Sequence, residues 1–373
     1  MGMTHNMDFS RYLSPSAYHE GTMKACRLHR IGEFTTDDVS IPKPVGNQLL
    51  LKVEGCGVCG SDIPRIFKLG TSRQRYPLTI GHEFGGTIVE VGEDADKSLV
   101  GKRGAIFPCI PCRKCDPCLS ANYAMCEDYD YLGSRSDGGF AEYCLIPSAW
   151  HFVPSANPET PGEALAMTEP CTVAQHAVRK GGVTAGMNVL IMGAGPIGIM
   201  AARWAKLFGA SVVLSEIVEE KCEFARAHGC EVIDSKEVDL VERVSELTHG
   251  RGVDVAIEGT GSGSGLGQAI ECTRTFGTVV MMGNPASDTT IKLAQHSQIL
   301  RKELSLKGIW NSHYADTPIN EWNYTVRMLD EGKMQVTDLI THKSTLDGLP
   351  ALCSGINDHS ILICKAMYVP EAE

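Results

Sequence analysis

Residues 188–216 read NVLIMGAGPIGIMAARWAKLFGASVVLSE, and this stretch decides the fold of the middle of the chain. An apolar β run ends at Gly193 and is followed by the glycine pattern GAGPIG, which closes at Gly198. Apolar residues then recur at helical spacing over Ile197–Phe208, and a second apolar run ends at Glu216. Strand, GxGxxG, helix, strand and terminal acid, in this order, form the fingerprint of a dinucleotide-binding unit.

Each position of the glycine pattern has its own physical role. Gly193 permits the tight turn, Gly195 lets the backbone approach a pyrophosphate, and Gly198 allows the helix to pack closely on the strand. Pro196 and Ile197 open the helix, whose free N–H groups and dipole stabilise phosphate. These five residues are the predicted cofactor-binding loop.

The acid at the end of the second strand predicts which dinucleotide binds. Glu216 would accept hydrogen bonds from the adenosine ribose hydroxyls and would repel a 2′-phosphate. No arginine immediately follows it in the sequence. We therefore expect NAD rather than NADP.

Strands and helices continue to alternate beyond this unit. The predicted elements are the helix Lys221–His228, the strand Val253–Ile257, the helix Gly267–Arg274, the strand Thr278–Met282 and the strand Leu304–Ile309. Such alternation predicts a parallel doubly wound sheet. We interpret Gly259–Gly265, which reads GTGSGSG, as a flexible crossover that lines the nicotinamide half of the site.

Upstream, residues 55–83 read GCGVCGSDIPRIFKLGTSRQRYPLTIGHE and contain Cys59, His82 and Glu83. Taken singly, such a cysteine is more often a buried thiol, and such a histidine a hydrogen-bonded core residue. Together, a thiolate, an imidazole and a carboxylate are donors that Zn²⁺ accepts, and three protein ligands leave a position open for water or substrate. Short apolar runs on either side predict that Cys59 and His82 lie on loops of a small β-rich domain.

A second group of cysteines follows at short spacing. Four thiols packed this closely along the chain can enclose Zn²⁺ tetrahedrally, which makes the site closed and structural. The predicted ligands are Cys112, Cys115, Cys118 and Cys126. Cys56 and Cys109 lie near the two groups in sequence, and we interpret both as spare thiols.

Composition limits the remaining classes of function. A length of 373 residues suggests about two domains. The net charge of −11 and the lack of a run rich in lysine and arginine argue against nucleic acid as the main partner. No apolar run has the length of a membrane span and no secretory signal pattern is visible, so the cytoplasm is the expected location. Fifteen cysteines in such a chain indicate metal ligands rather than disulfides.

Together these motifs resemble those of the zinc-dependent medium-chain dehydrogenase/reductase family, which includes alcohol and sorbitol dehydrogenases. The resemblance runs from Met23 to the C-terminus and is greatest to members that act on a polyol phosphate. It rests on the four-cysteine spacing and on the stretches Cys59–Lys68, Gly81–Phe84, Gly133–Tyr143, Glu169–Ala177 and Leu300–Leu304.

The resemblance implies an α/β architecture with two domains. A GroES-like, β-rich catalytic domain would occupy 23–171 and carry the structural zinc lobe, and a doubly wound Rossmann domain for NAD would occupy 172–311. Residues 312–373 would return to the catalytic domain, and residues 1–22 would form an N-terminal tail. Family members associate through an edge strand of the nucleotide domain, which implies a homodimer or homotetramer through Leu304–Ile309.

The resemblance also implies roles for the residues around the first motif. Cys59, His82 and Glu169 would be the ligands of a catalytic zinc. Glu83 would approach the metal, or would replace Glu169 or a water in some states. Asp62 would orient His82 and fix its tautomer through a hydrogen bond.

The implied reaction is hydride transfer from a secondary carbinol carbon to NAD, with zinc as a Lewis acid. Ser61 would take the substrate proton. Several relatives pass this proton to solvent through a histidine at the position of Pro64. This departure leaves Glu169 or a chain of waters as the outer end of the proton path.

Basic residues in the matching stretches indicate the substrate. Arg65, Lys68 and Arg135 would bind the anionic group of a polyol phosphate. If they are solvated surface charges, a free polyol such as sorbitol, altritol or galactitol is the expected substrate.

One alternative belongs to a different class of protein. The chain could be a non-enzymatic zinc and dinucleotide binder, or a zinc-ribbon interaction module. The presence of Cys59, His82 and Ser61 favours the enzyme. Two zincs per chain would support the enzyme, and one would support a purely structural role.

Overall fold

The computed structural model describes residues 15–285, 287–317 and 320–371. The chain forms two compact units: the first comprises the residues up to Glu169 together with those from Tyr314 onward, and the second runs from Pro170 to His313. Of the tail predicted at 1–22, residues 1–14 lie outside the described residues, whereas residues 18–22 belong to the first strand. No helix within the described ranges combines the length and the apolar character that crossing a membrane requires.

The first unit begins with short strands separated by turns. Its strands are β1 (Tyr18–Arg30), β2 (Glu33–Pro42), β3 (Leu49–Gly57), β4 (Leu78–Thr79), β5 (Glu83–Val91), β6 (Arg103–Ile106), β7 (Cys109–Ile110), β8 (Asp130–Tyr131), β9 (Tyr143–Ile146) and β10 (Phe152–Pro154). Its helices are α1 (Asp62–Pro64), α2 (Asp116–Leu119) and α3 (Gly162–Ala166). Single 3₁₀ turns lie at Lys97–Leu99, Tyr123–Met125 and Ala149–His151, and a π-helical turn, Arg65–Leu69, directly follows α1.

Strands and helices alternate in the second unit. The strands are β11 (Asn188–Met192), β12 (Ser211–Glu216), β13 (Val232–Asp234), β14 (Val253–Glu258), β15 (Thr273–Met281) and β16 (Ser305–Gly308). The helices are α4 (Thr168–Gly181), which begins in the last residues of the first unit, α5 (Pro196–Leu207), α6 (Glu219–Ala227), α7 (Leu240–Leu247), α8 (Gly265–Cys272) and α9 (Leu293–Arg301). The helix predicted to end at Arg274 ends at Cys272, because the β-branched Thr273 begins β15.

After the second unit the chain returns to the first. The returning elements are α10 (Glu321–Asp330), a 3₁₀ turn at Thr337–Leu339, β17 (Ile340–Ser344), α11 (Leu349–Asn357) and β18 (Lys365–Tyr368).

The largest sheet of the first unit has the strand order β10-β6-β5-β3-β18-β17, and β9 also pairs with β3. Leu51 and Val53 of β3 are buried on one face and pack in one cluster with Phe84 of β5. β3 and β5 pair antiparallel, and their register sets Gly57 opposite Glu83. This register brings the loop after β3 next to the start of β5, where the candidate ligands lie. Two smaller sheets have the orders β2-β1-β4 and β7-β8.

The sheet of the second unit has the order β13-β12-β11-β14-β15-β16, and all its strands are parallel. The strand order reverses between β11 and β14. In such sheets, ligands bind at this point, beyond the carboxyl ends of the strands. The predicted doubly wound sheet is confirmed, and its switch point falls at the predicted glycine loop.

Candidate functional site

Three candidate zinc donors converge in the first unit. Cys59 lies in the loop between β3 and α1, His82 directly precedes β5, and Glu83 is the first residue of β5. The ligand atoms of these three side chains all lie within 4.8 Å of one another. We call them the donor set. A thiolate, an imidazole and a carboxylate held this closely fit Zn²⁺ with one position left open.

A buried aspartate lies beside the histidine of the donor set. Asp62 is fully buried, accepts a hydrogen bond from the Cys59 backbone N–H at 3.0 Å, and lies 3.5 Å from His82 Nδ1. Burial alone would lower the pKa of His82, but the Asp62 carboxylate and the Cys59 thiol raise it well above its ordinary value. Because Nδ1 lies next to Asp62, Nε2 is the ring nitrogen left for a metal.

A buried lysine accompanies the carboxylate of the donor set. Lys365 of β18 forms an ion pair with Glu83 and donates to the Val58 carbonyl at 2.9 Å, and both charged side chains are almost fully buried. The Glu83 carboxylate raises the pKa of Lys365 against the effect of burial. The sequence analysis missed this residue. A lysine inside the apolar run Ile361–Val369 was the signal that could have found it.

The structure places Glu169 beside the donor set, and Glu83 within it. Glu169 lies in the first turn of α4, where the following Pro170 is tolerated. It is buried, and it accepts a hydrogen bond from the Tyr131 hydroxyl at 3.3 Å. The Tyr131 ring meets His82 edge to face, with the ring centroids 5.8 Å apart. Burial raises the pKa of Glu169 to about 7; Glu83 acts in the same direction and His82 opposes it.

Ser61, predicted to accept the substrate proton, lies next to Cys59. Its hydroxyl donates to Cys59 Sγ at 3.3 Å, so that it lies at the edge of the donor set. The side chain is exposed. A hydroxyl in this place can exchange a proton with a neighbouring alcohol and with water.

The four cysteines predicted to form a closed site come together in space. The thiols that converge are those of Cys112, Cys115, Cys118 and Cys126, whose sulfurs all lie within 4.8 Å of one another. We call this group the cysteine cage. Burial raises the pKa of Cys112, but hydrogen bonds from the backbone of Lys114 and Cys115 and from neighbouring thiols lower it to about 6. Four converging sulfurs fit a tetrahedral Zn²⁺ site.

The three basic residues predicted to bind an anion have different surroundings. Arg65 forms an ion pair with Asp62, three residues earlier on the same helical segment. Arg135 donates to the Tyr129 carbonyl, and its guanidinium carbon lies 3.8 Å from the centroid of the Tyr129 ring. Lys68 is exposed. Arg65 is therefore paired with the aspartate that lies beside His82.

The glycine loop of the second unit has the geometry of a phosphate cradle. Gly193 has φ +101°, a conformation that glycine adopts without strain. A Cβ at Gly198 would lie 2.0 Å from the Gly193 carbonyl oxygen, so only glycine fits there. A Cβ at Gly195 would meet nothing within 4 Å, which leaves open space where a pyrophosphate would approach the backbone. Pro196 and Ile197 form the first turn of α5. The loop fits a dinucleotide.

Glu216 ends β12 beside this loop. Its carboxylate accepts hydrogen bonds from the backbone N–H groups of Ala194, at 3.0 Å, and Ile217, at 2.8 Å. These bonds hold the carboxylate next to the glycine loop, where the ribose of a dinucleotide lies in such folds.

The sequence analysis missed a second acid at the switch point. Glu258 ends β14, is buried, and accepts hydrogen bonds from the backbone N–H groups of Thr260, at 2.7 Å, and Gly261, at 3.0 Å. The Thr260 methyl carbon lies 3.5 Å from the position that a Cβ would take at Gly193. The glycine-rich segment that was interpreted as flexible is thus held by Glu258 next to the cofactor loop. No sequence motif marks this role.

Comparison with known families agrees with both candidate sites, each described within its own unit. Residues 46–156 match the alcohol dehydrogenase GroES-like domain, and residues 196–331 match the zinc-binding dehydrogenase family. The GroES-like and Rossmann domains of the predicted fold class are thereby confirmed.

Individual relatives match over most of the chain. Galactitol 1-phosphate 5-dehydrogenase of Escherichia coli K12 is 35% identical over 303 residues, which are 81% of this chain and 86% of the relative. Sorbitol dehydrogenase of Halalkalibacterium halodurans is 33% identical over 323 residues, 85% of this chain and 91% of the relative.

Solved structures give the same result. Galactitol-1-phosphate dehydrogenase from Escherichia coli has a TM-score of 0.86 at 32% identity, covering 93% of this chain and 100% of that chain. A zinc-binding dehydrogenase from Sinorhizobium meliloti 1021, bound to NADP, has a TM-score of 0.85 at 29% identity, covering 94% of this chain and 100% of that chain.

Proposed function

Since the chain belongs to the zinc-dependent alcohol and polyol dehydrogenases, oxidoreductases that act on CH–OH groups, we propose that it transfers a hydride between a secondary hydroxyl of a polyol phosphate and NAD. This proposal rests on the convergence of Cys59, His82 and Glu83 into an open donor set. The same chain also contains the glycine loop, with Glu216 hydrogen-bonded beside it.

Several residues around the donor set would act on the substrate alcohol, each in a different way. Zinc, when bound, would act as a Lewis acid that lowers the pKa of the substrate hydroxyl. Asp62, which is paired with Arg65, would hold the His82 ring in place. Ser61, which is exposed and hydrogen-bonded to Cys59, would take the hydroxyl proton and pass it to water. A histidine at the position of Pro64 is then not required as a proton relay, because the Ser61 hydroxyl itself is exposed to solvent.

The second unit would bind the cofactor, which supplies the hydride-accepting ring. The backbone of the glycine loop and the N-terminus of α5 would hold the pyrophosphate. Glu216 would accept hydrogen bonds from the ribose hydroxyls and repel a 2′-phosphate. We therefore propose NAD, although a relative binds NADP. Initial rates with NAD and NADP test this choice, and a higher kcat/KM with NADP would contradict it.

The donor set and the cysteine cage together support two zincs per chain. The first would be catalytic, because its donor set is open, and the second structural, because four thiolates close it. Metal analysis of purified protein is expected to give about two zincs per chain. One zinc would leave one of the two assignments without support.

A free polyol is the second candidate substrate, and the ion pair of Arg65 favours this candidate. Its ion pair with Asp62 removes one cation from the predicted anion site. A sorbitol dehydrogenase is also among the relatives. The two candidate classes are distinguished by whether the substrate carries a phosphate group.

The deciding experiment is NAD-dependent oxidation of galactitol 1-phosphate beside galactitol, sorbitol and altritol with zinc-replete protein. We expect the phosphate ester to give the highest kcat/KM. A preference for a free polyol would replace the first candidate by the second. No turnover of any of the four would contradict both.

We also propose that the chain self-associates through β16. Among the described strands it pairs only with β15, so that its other edge has unpaired backbone groups. Trp310, two residues beyond it, is 56% exposed. Light scattering of the eluted protein is expected to show a dimer or tetramer, and Trp310→Lys is expected to weaken it. A monomeric wild type would contradict the proposal.

A further inference from the structure

The carboxylate of Glu258 holds the segment that follows β14. Its Oε1 accepts hydrogen bonds from the backbone N–H groups of Thr260, at 2.7 Å, and Gly261, at 3.0 Å, and from the Thr260 hydroxyl. A Cβ at Gly265, where α8 begins, would lie 2.8 Å from the same oxygen. One carboxylate oxygen therefore fixes the path of the chain between β14 and α8. We call residues 259–265 the switch-point segment.

Glu258 also holds the residues that follow the neighbouring strand, β15. Its backbone carbonyl accepts hydrogen bonds from the N–H groups of Met282, at 2.8 Å, and Gly283, at 2.9 Å. The two connections are in close backbone contact, because a Cβ at Gly261 would lie 2.1 Å from the Asn284 carbonyl oxygen. Glu258 thus joins the connections that leave β14 and β15.

The switch-point segment in turn contacts the glycine loop that follows β11. The Thr260 methyl carbon lies 3.5 Å from the position that a Cβ would take at Gly193. The Gly259 N–H donates to the Met192 carbonyl at 3.0 Å. Movement of Thr260 would therefore change the surroundings of the first residue of the loop that fits a dinucleotide.

Glu258 and Glu216 lie on opposite sides of the glycine loop. β12, which ends at Glu216, pairs with one edge of β11, and β14, which ends at Glu258, pairs with the other. A dinucleotide lies across such a switch point, with one of its two nucleotides on each side. Since the proposed function puts the adenosine ribose at Glu216, Glu258 lies on the side of the other nucleotide.

A buried carboxylate is suited to holding a segment that must bind a ligand. Only 4% of Glu258 is exposed. Hydrogen bonds to a charged acceptor are about twice as strong as those between neutral groups. A segment held in this way loses little further conformational freedom when a ligand binds, and such preorganisation raises affinity.

We propose that Glu258 is a positioning residue for the cofactor, and that it sets the affinity for the nicotinamide nucleotide through Thr260. This inference rests on the proposed function, which supplies the cofactor. The Glu258 carboxylate is engaged by Thr260 and Gly261, so that it acts on the cofactor only through the position of this backbone.

The test compares the Kd of NADH with the Kd of AMP, both measured by calorimetry. Glu258→Gln keeps the shape of the side chain and removes its charge. We expect the Kd of NADH to rise about 3- to 10-fold, and the Kd of AMP, which contains only the adenosine side of the dinucleotide, to change less than about twofold. Glu242→Gln, an exposed acid of the same unit, is the matched control and should change neither value. NADPH replaces NADH if the wild type binds it more tightly.

Two substitutions at Thr260 test the route of the effect. Thr260→Val removes the hydroxyl that bonds to Glu258 and should raise the Kd of NADH about 2- to 5-fold. Thr260→Ser keeps the hydroxyl and should bind NADH more tightly than Thr260→Val. The reverse order would contradict the inference, because the methyl contact with Gly193 would then position the segment. This pair also decides the question if a melting curve shows that Glu258→Gln does not fold.

Three results with the wild type and Glu258→Gln would overturn the inference. One is a Kd of NADH within about twofold of the wild-type value in the variant. Another is an equal loss of NADH and AMP binding, which would make Glu258 a general support of the fold. The third is a wild type that binds neither NADH nor NADPH, which would overturn the proposed cofactor as well. A chain that oxidises no polyol but shows the selective loss of NADH binding would contradict the proposed reaction and support the inference.

Discussion

The cysteine cage and the donor set are both candidate zinc sites of the first unit, but they are built in opposite ways. The cage takes four like ligands from one short segment, and they close the metal off from substrate. The donor set takes three unlike ligands from the loop after β3 and from the start of β5, and it is surrounded by charged side chains, among them Asp62 and Lys365. The properties of the cage therefore follow from its ligands, whereas those of the donor set follow largely from its neighbours.

The largest effect on activity should come from removing the single thiol of the donor set, Cys59. Cys59→Ser is expected to lower kcat/KM by at least about 1000-fold, because Lewis-acid catalysis contributes several kcal/mol. Metal analysis should show loss of one zinc per chain. NADH binding, followed by fluorescence, should be retained, because the glycine loop belongs to the second unit.

Cys56→Ala is the matched control, because this buried thiol lies outside the converging ligands. It should keep both zincs and most of the activity. A Cys59→Ser protein with full activity would break the assignment of the donor set.

Removing one thiol of the cage should change stability instead of chemistry. Cys118→Ser is expected to lose the other zinc and to lower Tm by at least about 5 °C, because metal binding at such a site stabilises the fold. Molecules that remain folded and retain one zinc should turn over near the wild-type rate. Cys109→Ala, a buried thiol beside the cage, should retain both zincs. If Cys118→Ser lost turnover at unchanged Tm, the contrast between the two sites would fail.

The role of neighbours in the donor set can be measured at Lys365. In zinc-free protein, Lys365→Met leaves the buried Glu83 carboxylate without its cation, and breaking such a pair costs about 3–5 kcal/mol. Urea unfolding of the first unit should report this loss. The double variant Lys365→Met with Glu83→Gln should recover at least half of it, because no uncompensated charge remains. Equal losses in the single and double variants would show that Lys365 stabilises the sheet and not the carboxylate.

Features that are local in the sequence could be predicted from it. The cage and the glycine loop have all their defining residues within a short segment, so that spacing alone identifies them. Cys59 and His82 required one further step, the expectation that neighbouring strands bring their loops together, and the β3–β5 register does so.

Residues whose roles depend on long-range pairing could not be predicted. Lys365 reaches Glu83 because β18 pairs with β3, and no pattern in the sequence specifies that pairing. The hydrogen bond from Tyr131 to Glu169 likewise joins residues that are far apart in the sequence. Arg65 was predicted to bind the anionic group of the substrate, and the structure shows a partner for it that the sequence analysis did not consider, Asp62, three residues away.

The smallest expected effect concerns how the cage is attached to the rest of its unit. Asp316, in the returning segment, accepts hydrogen bonds from the Tyr123 hydroxyl at 2.7 Å and from the Trp150 indole N–H. Tyr123 packs directly against Cys118 and Cys126. Asp316→Asn removes the charge from these bonds, and because Asp316 is exposed we expect a loss of about 1 kcal/mol or less. Tm should fall by about 1–3 °C, while kcat should not change.

Zinc release is the sensitive readout of this attachment. Release from the cage to a chelator, followed with a colorimetric indicator, should be a few-fold faster in Asp316→Asn and in Tyr123→Phe, which removes the same hydrogen bond from its other end. Asp38→Asn, an exposed aspartate of the same unit, should release zinc at the wild-type rate. If both variants released zinc as slowly as the wild type, the cage would hold its metal by its four thiolates alone. If both released it faster, the cage would depend on a neighbour as the donor set does, and the two sites would differ in degree rather than in kind.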